Sequence, residues 1–215
     1  MAPKTTYCTI YLARHGQSQG NLGKFIQGHQ DADLTPLGIE QAQVLARHFH
    51  KIRFAAVFSS DLLRARRTAQ AVALDRRLAI TTARALRERK FGRIEGMLDS
   101  KFEQDFRELL DSREKLNHQD RFRFKLAPDV ESDEELMSRF ITHLRGIATA
   151  YLSKNVLVVS HGGPIRTLLI HLGFATYKEM PPAGGTVSNT AYVKLLSDGI
   201  DFFVKDTFGI TKIDQ

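Results

Sequence analysis

Two textures alternate along the chain: short continuous apolar runs, and longer stretches in which apolar residues recur three and four apart. The first kind reads as buried strands and the second as helices lying on them. Tyr7 to Ala13 is an apolar run carrying aromatic and β-branched residues, which predicts a strand ending at Arg14-His15-Gly16. Thr35-Pro36 then offers an oxygen-bearing cap followed by a proline, a good helix start. Leu37, Val44, Leu45 and Phe49 mark one face of that helix, which should run to about His50. Ala55 to Phe58 reads as the next strand, Ser59-Ser60 leads into a helix from about Asp61 to Ala73, and a weaker strand follows near Leu78 to Thr82.

From Gly96 to Pro128 the texture becomes polar and helix-compatible, with the alternating Arg121-Phe122-Arg123-Phe124-Lys125 and no clear strand. Ser132-Asp133-Glu134-Glu135 is a capping box, followed at helical spacing by Leu136, Met137, Phe140, Ile141, Leu144, Ile147 and Tyr151. Val156 to Val159 predicts a strand, His161-Gly162-Gly163-Pro164 a tight turn and Ile165 to Leu172 a helix. After a loop at Pro181-Pro182-Ala183-Gly184-Gly185, Ala191 to Leu196 and Ile200 to Val204 flank a hairpin turn at Asp198-Gly199. Strands alternating with helices predict an α/β protein with three layers, α/β/α. Its sheet should be mostly parallel, with an antiparallel hairpin at one edge. The segment from about 96 to 132 should be a helical cap inserted into a single domain spanning residues 1–215.

Composition narrows this further. With 42% apolar and 26% charged residues over 215 positions, the chain is not of a disordered, collagen-like or coiled-coil class. No run approaches the ~20 apolar residues that span a membrane, and the opening MAPKTTYCTIYLARHG has no apolar stretch suited to a signal peptide. A cytoplasmic protein with no membrane partner is expected. The lone cysteine, Cys8, sits in a strand-like run and reads as a core thiol. The net charge of +7 is concentrated between Arg47 and Arg93, where thirteen basic residues face only Asp61, Asp75 and Glu88. Such a window suits an anionic substrate, with solvated helix faces accounting for part of it. No nucleic-acid partner is expected, because neither zinc-finger spacing, a basic heptad region nor an aromatic-interleaved motif accompanies the charge.

The candidate chemistry lies where two strands run out. Leu12-Ala13-Arg14-His15-Gly16 and Val158-Val159-Ser160-His161-Gly162-Gly163 share one grammar, apolar strand, histidine, glycine. In open α/β sheets ligands sit outside the carboxyl ends of strands. Glycine admits a ligand close to the backbone, and the helix after His161 offers free amides to an anion. Neither histidine is joined by a carboxylate cluster or a second ligand at metal-site spacing, so no metal is expected.

Arg14-His15-Gly16-Gln17-Ser18, with Asn21 after it, resembles the opening signature of the histidine phosphatase superfamily, whose members include cofactor-dependent phosphoglycerate mutases and fructose-2,6-bisphosphatases. The resemblance continues in order through Gly28-x-x-Asp31-Ala32-Asp33-Leu34-Thr35, Phe58-Ser59-Ser60-Asp61-Leu62-Leu63-Arg64-Ala65, Leu86-Arg87-Glu88-Arg89-Lys90-Phe91-Gly92-x-x-Glu95-Gly96 and Val159-Ser160-His161-Gly162-Gly163-x-x-Arg166. It implies that His15 is a nucleophile carrying the phosphoryl group, with Arg14 and Arg64 clamping its oxygens. His161 and the Gly162 amide would donate to it and Asn21 complete the cradle. Glu88 would serve as acid and then base, and Gln27 and Gly28 would contact substrate beyond the phosphate. By the residues alone, Arg64 is not separable from Arg66 and Arg67 on the same helix, and Glu95 is an alternative to Glu88. The other six histidines, His29, His48, His50, His118, His143 and His171, are expected to serve the surface or packing.

A phosphomonoesterase of a small phosphorylated metabolite, such as a sugar phosphate or bisphosphate, is therefore expected, with no cofactor. The alternatives are a phosphoglycerate mutase and a non-catalytic phospho-ligand-binding scaffold. Mutases carry a tyrosine where this chain has Phe91, and an arginine pair with further basic ligands in the insertion, which is not evident here. Gly20 stands where a bulky aromatic often precedes the asparagine, so a more open pocket rim is expected. The sequence does not set the oligomeric state.

Overall fold

The computed structural model describes residues 6–74, 76–182 and 185–213; Asp75 of the basic window and Ala183 and Gly184 of the predicted loop lie outside them. The apolar runs form six strands: β1 (Cys8–Arg14), β2 (Phe54–Ser60), β3 (Ile80–Ala83), β4 (Asn155–Ser160), β5 (Val187–Ser197) and β6 (Phe202–Ile210). They make one sheet in the order β3-β2-β4-β1-β5-β6. The first four are mutually parallel, while β5 runs antiparallel to β1 and β6 to β5. The central strands β1 and β4 are buried on both faces, as continuous apolar runs require.

Helices cover both faces. α2 (Pro36–His48) and α3 (Leu63–Leu74) pack on one, through Leu45, Ala46, Ala65, Ala69 and Val72. α7 (Asp133–Ala150) and α8 (Gly162–His171) pack on the other, through Leu136, Phe140, Leu144, Ile165 and Leu168. Ser132 caps α7 as its spacing predicts: its hydroxyl accepts from Glu135 N and its own N–H reaches the Glu135 carboxylate. Each large apolar side chain so buried on α7 is worth about 1.5–3 kcal/mol. On α2 the expected face is borne out at Leu45 and Phe49, which are buried, and not at its other two positions. Leu37 and Val44 are half exposed, whereas Gly38, Ala42 and Ala46 are buried beside Leu45, and at Gly38 the missing side chain lets the helix backbone lie against Gly16 and Gln17.

A short helix, α1 (Gln19–Leu22), follows β1. The 96–132 segment forms three more short helices, α4 (Asp99–Asp105), α5 (Arg107–Glu114) and α6 (His118–Arg123). α6 is docked by ring contacts, Phe122 stacking on His171 of α8 and His118 lying against Tyr177. No helix among the described residues is long and apolar enough to cross a membrane. The Cys8 thiol is fully buried, and burial pushes it up to about 11.

Candidate active site

Neighbouring parallel strands bring the two histidines together. Arg14 of β1 pairs with Ser160 of β4, and the next N–H, that of His15, donates to the Ser160 carbonyl at 3.1 Å. The rings of His15 and His161 stand 5.1 Å apart, centroid to centroid. From here the chain leaves toward α2 on one face and α8 on the other, so the pair sits in the crevice where the winding direction changes.

His15 is buried, and its Nδ1 lies 2.6 Å from the Gly16 carbonyl oxygen. A carbonyl only accepts, so Nδ1 carries the proton and Nε2 of the neutral ring carries a lone pair. Burial, then the charges of Arg64 and Arg14, hold the imidazole well below its ordinary titration range. The main chain at this point is pinned from both sides. Gly16 N donates to Thr68 Oγ1 of α3, and the His15 carbonyl accepts from Thr190 N and Asn189 Nδ2 of β5, each at 3.2 Å. Thr190 holds a φ of 59°, in the left-handed region that a β-branched residue rarely enters, where the pairing of β5 with β6 shifts register. Asn189 and Thr190 carry no sequence signal of this role.

Around His15 the buried cations spend their donors on carbonyl oxygens. Arg14 Nη1 donates to Val187 O, while Arg64 Nη1 and Nη2 donate to Gln30 O (2.8 Å) and Gly28 O (2.9 Å). Arg64 is 1% exposed, whereas Arg66 and Arg67 are solvent-facing, which separates three residues the sequence left equivalent. Burial pulls the Arg64 guanidinium down to about 10. The Nε of Arg14, the Nε of Arg64 and both ring nitrogens of His161 have no hydrogen-bond partner among the described residues. Burial, then Arg64, His15 and Arg14, hold His161 well below its usual range, so it too is neutral. Unpaired buried donors are costly and rare, and the two Nε–H groups, with the single N–H that the neutral His161 ring carries, form a surface suited to an anion.

The loop after β3 supplies the carboxylate. Glu88 Oε1 accepts from Arg89 N at 2.8 Å and Oε2 from Gly163 N at 3.1 Å, which holds the side chain over the start of α8. A Cβ at position 163 would meet Glu88 Oε1 at 2.2 Å, so only glycine allows this approach. Glu95 instead braces the backbone, its Oε1 accepting from His29 N and Phe91 N, each at 3.0 Å. His29, expected to serve the surface or packing, donates from Nε2 to the Glu88 carbonyl at 2.9 Å and ties the 27–30 turn to the acid loop.

Asn21, Gln27, Gly28 and Gly162 all line the same cavity, of about 590 Å³, as His15, Arg14, Arg64 and Glu88. Asn21 Oδ1 accepts from Ser18 N (3.1 Å) and from Asn189 Nδ2 (3.3 Å). The open rim expected at Gly20 does not occur. The Gln27 side chain fills that space, 2.3 Å from where a Cβ would stand, and its Oε1 accepts from Ser18 Oγ.

The insertion forms the outer wall of the cavity and, contrary to expectation, contributes basic side chains to it, Arg113 of α5 and Arg121 of α6. They are eight residues apart in sequence and face one cavity only because the cap folds back. Arg121 is clasped by both Glu114 oxygens at 2.6 Å and lies 4.2 Å over the Tyr177 ring. Arg89 pairs with Asp133, which also accepts from Tyr177 Oη at 2.7 Å. Arg166 of α8 is 9% exposed, donates from Nε to Met180 O and leaves Nη2 unpaired. Arg89, Arg113, Arg121 and Arg166 thus gather about Glu114 and Asp133, while Asp99 and Glu103 of α4 and Glu131 also line the cavity. A larger, shallower depression of about 1040 Å³ lies on the far side of α7 and contains neither strand-end histidine. Among the described residues no group of three or more His, Cys, Asp or Glu side chains could hold a metal ion.

Residues 10–206 match the model of the histidine phosphatase superfamily, branch 1. Phosphoglycerate mutase-like protein 4 of Arabidopsis thaliana is 34% identical over 164 residues, covering 75% of this chain and 70% of its own. Broad-specificity phosphatase YOR283W of Saccharomyces cerevisiae is 32% identical over 182 residues, 79% of this chain and 72% of its own. Among solved structures, a mycobacterial glucosyl-3-phosphoglycerate phosphatase complexed with VO3 superposes with a TM-score of 0.77 at 25% identity, over 94% of this chain and 99% of that one.

Proposed function

The chain belongs to the histidine phosphatase superfamily and is a phosphatase, and from that premise we propose that it hydrolyses a small phosphorylated metabolite through a phosphohistidine formed on His15. One observation carries the reading: a buried imidazole with its Nδ1 proton committed to Gly16 O and its Nε2 lone pair free, ringed by unpaired donors of Arg14, Arg64 and His161.

His15 Nε2 attacks phosphorus as the bond to the ester oxygen breaks, and Glu88 gives its proton to the leaving alkoxide. Water then attacks phosphorus. Its proton passes to the Glu88 carboxylate, the P–N bond breaks, and His15 recovers its lone pair. Arg14, Arg64, His161, Gly162 N and Asn21 bind the equatorial oxygens and neutralise charge as it builds. Two guanidiniums supply the cation that a metal supplies in other phosphoryl-transfer sites.

The unpaired guanidinium nitrogens of Arg113, Arg121 and Arg166 at this cavity support a substrate with a second anionic group, as in a sugar bisphosphate or a phosphorylated hydroxy acid. The same arginines favour a mutase as the second reading. Phe91, which lines the cavity without a hydroxyl, favours release of phosphate to water. The deciding experiment screens phosphate release across sugar phosphates, bisphosphates, phosphoglycerates and p-nitrophenyl phosphate, with His15→Ala as blank. Alkaline quenching should trap acid-labile phosphate on the wild type and none on His15→Ala. Acid-stable label, or isomerisation of 3-phosphoglycerate faster than phosphate release, would overturn the reading.

A further inference from the structure

Outside the phosphate cradle, one guanidinium spends its donors on the main chain of the acid loop. We propose that Arg139, on α7, is a positioning residue for the hydrolysis, fixing residues 85–88 and so setting where the Glu88 carboxyl stands. The inference rests on reading Glu88 as the proton donor.

Arg139 Nη1 donates to Ala85 O at 2.9 Å and Arg87 O at 3.0 Å, and Nη2 donates to Glu88 O at 2.8 Å. On its other edge, Nε and Nη2 meet the two oxygens of Glu131, each at 2.8 Å. Glu131 in turn accepts from Lys90 N at 2.8 Å, and its own N–H returns to Lys90 O at 2.9 Å. The loop is therefore gripped at 85, 87, 88 and 90 by one side chain and its carboxylate partner. Among the described residues no strand neighbour takes the Ala85, Arg87 and Glu88 carbonyls, so the grip satisfies the backbone as well as placing it. His29 Nε2 adds a second donor to Glu88 O from the opposite side. A planar five-donor fork can hold three carbonyls and a carboxylate together. An ammonium, with three donors on one nitrogen, cannot. Arg139 itself does not line the cavity that holds His15 and Glu88, so it acts through Glu88.

The test compares turnover on an alkyl phosphate, glycerol phosphate, with turnover on p-nitrophenyl phosphate, whose leaving group barely needs a proton. The proteins are the wild type, Glu88→Ala, Arg139→Lys, Glu131→Gln and the Glu88→Ala/Arg139→Lys double variant. Arg139→Lys should lose roughly 10- to 100-fold on the alkyl ester, with little change on p-nitrophenyl phosphate or in inhibition by vanadate. The double variant should be no slower on the alkyl ester than Glu88→Ala alone. If Arg139→Lys fails to fold, Glu131→Gln, which keeps the guanidinium and loosens its hold, must give the same split. Equal losses on both substrates, or losses that multiply in the double variant, would refute the positioning role. Should Glu88→Ala itself show no split, the assignment of the acid fails and this inference with it. A split for Glu88→Ala but not for Arg139→Lys or Glu131→Gln removes only the inference.

Discussion

A single hydrogen bond, His15 Nδ1–H to the Gly16 carbonyl, decides which ring nitrogen keeps its lone pair, the one that attacks phosphorus in the proposed reaction, and burial keeps that nitrogen unprotonated. The partnering residue is adjacent in sequence, so the histidine–glycine grammar is legible in the chain. Glu88 is legible as a carboxylate in a basic loop, but its distinction from Glu95 is not, because only the fold directs Glu88 to Gly163 N and Glu95 to His29 N. Glu88→Ala should lower turnover on an alkyl phosphate by roughly 10²–10⁴-fold and much less on p-nitrophenyl phosphate, read as initial rates. Arg113 faces the cavity with only a 3.5 Å contact to Glu114. Arg113→Ala should therefore cut kcat/KM for doubly anionic substrates roughly 10- to 100-fold and leave p-nitrophenyl phosphate unchanged, a charge-assisted hydrogen bond being worth about 1.5–3 kcal/mol. Equal effects on both substrate types would place the second anion elsewhere.

At the scale of elements, the proposed function depends on two helices starting where they do. α8 begins at His161, which puts Gly162 and Gly163 N–H groups at the cavity. α7 begins at Ser132 and presents Arg139 to the acid loop just under two turns later. The capping box is readable in the chain because it is a four-residue pattern. Ser132→Ala should cost about 1 kcal/mol of stability, seen as a fall of roughly 2–4 °C in the thermal midpoint. No change would mean that the Glu135 carboxylate and packing alone hold the helix start. The buried face of α2 is readable only in part, for an equally physical reason. Periodicity finds Leu45 and Phe49 but ranks Leu37 and Val44 with them, whereas tertiary packing buries Gly38, Ala42 and Ala46 instead.

For the whole molecule, burying two neutral imidazoles beside guanidiniums links stability to pH. His15 and His161 bind no proton in the folded protein at pH values where their unfolded counterparts, titrating near about 6.5, do. Stability from this source is present above about 6.5 and is lost as pH falls through the gap toward the depressed folded values. Asp61, kept below its ordinary range chiefly by its hydrogen bond from Arg87, adds a separate loss only below about 4. Urea midpoints should thus decline between about pH 7 and 5, and less so for His15→Ala; a flat profile over that range would mean the imidazoles are charged when folded. What the sequence by itself determined is the order and kind of the sheet strands and of the long helices that cover them, and the two strand-end histidines. Those follow from periodicity, capping and turn residues, all of which act over a few neighbours. What only the tertiary structure decided is where the long side chains go: Arg64 to Gln30 and Gly28, Asn189 to His15, Arg139 to the acid loop, and Arg113 and Arg121 to the outer wall. Those partners are distant along the chain, and a guanidinium on a flexible stem takes its direction from whichever carbonyls the packing of sheet and helices leaves unpaired.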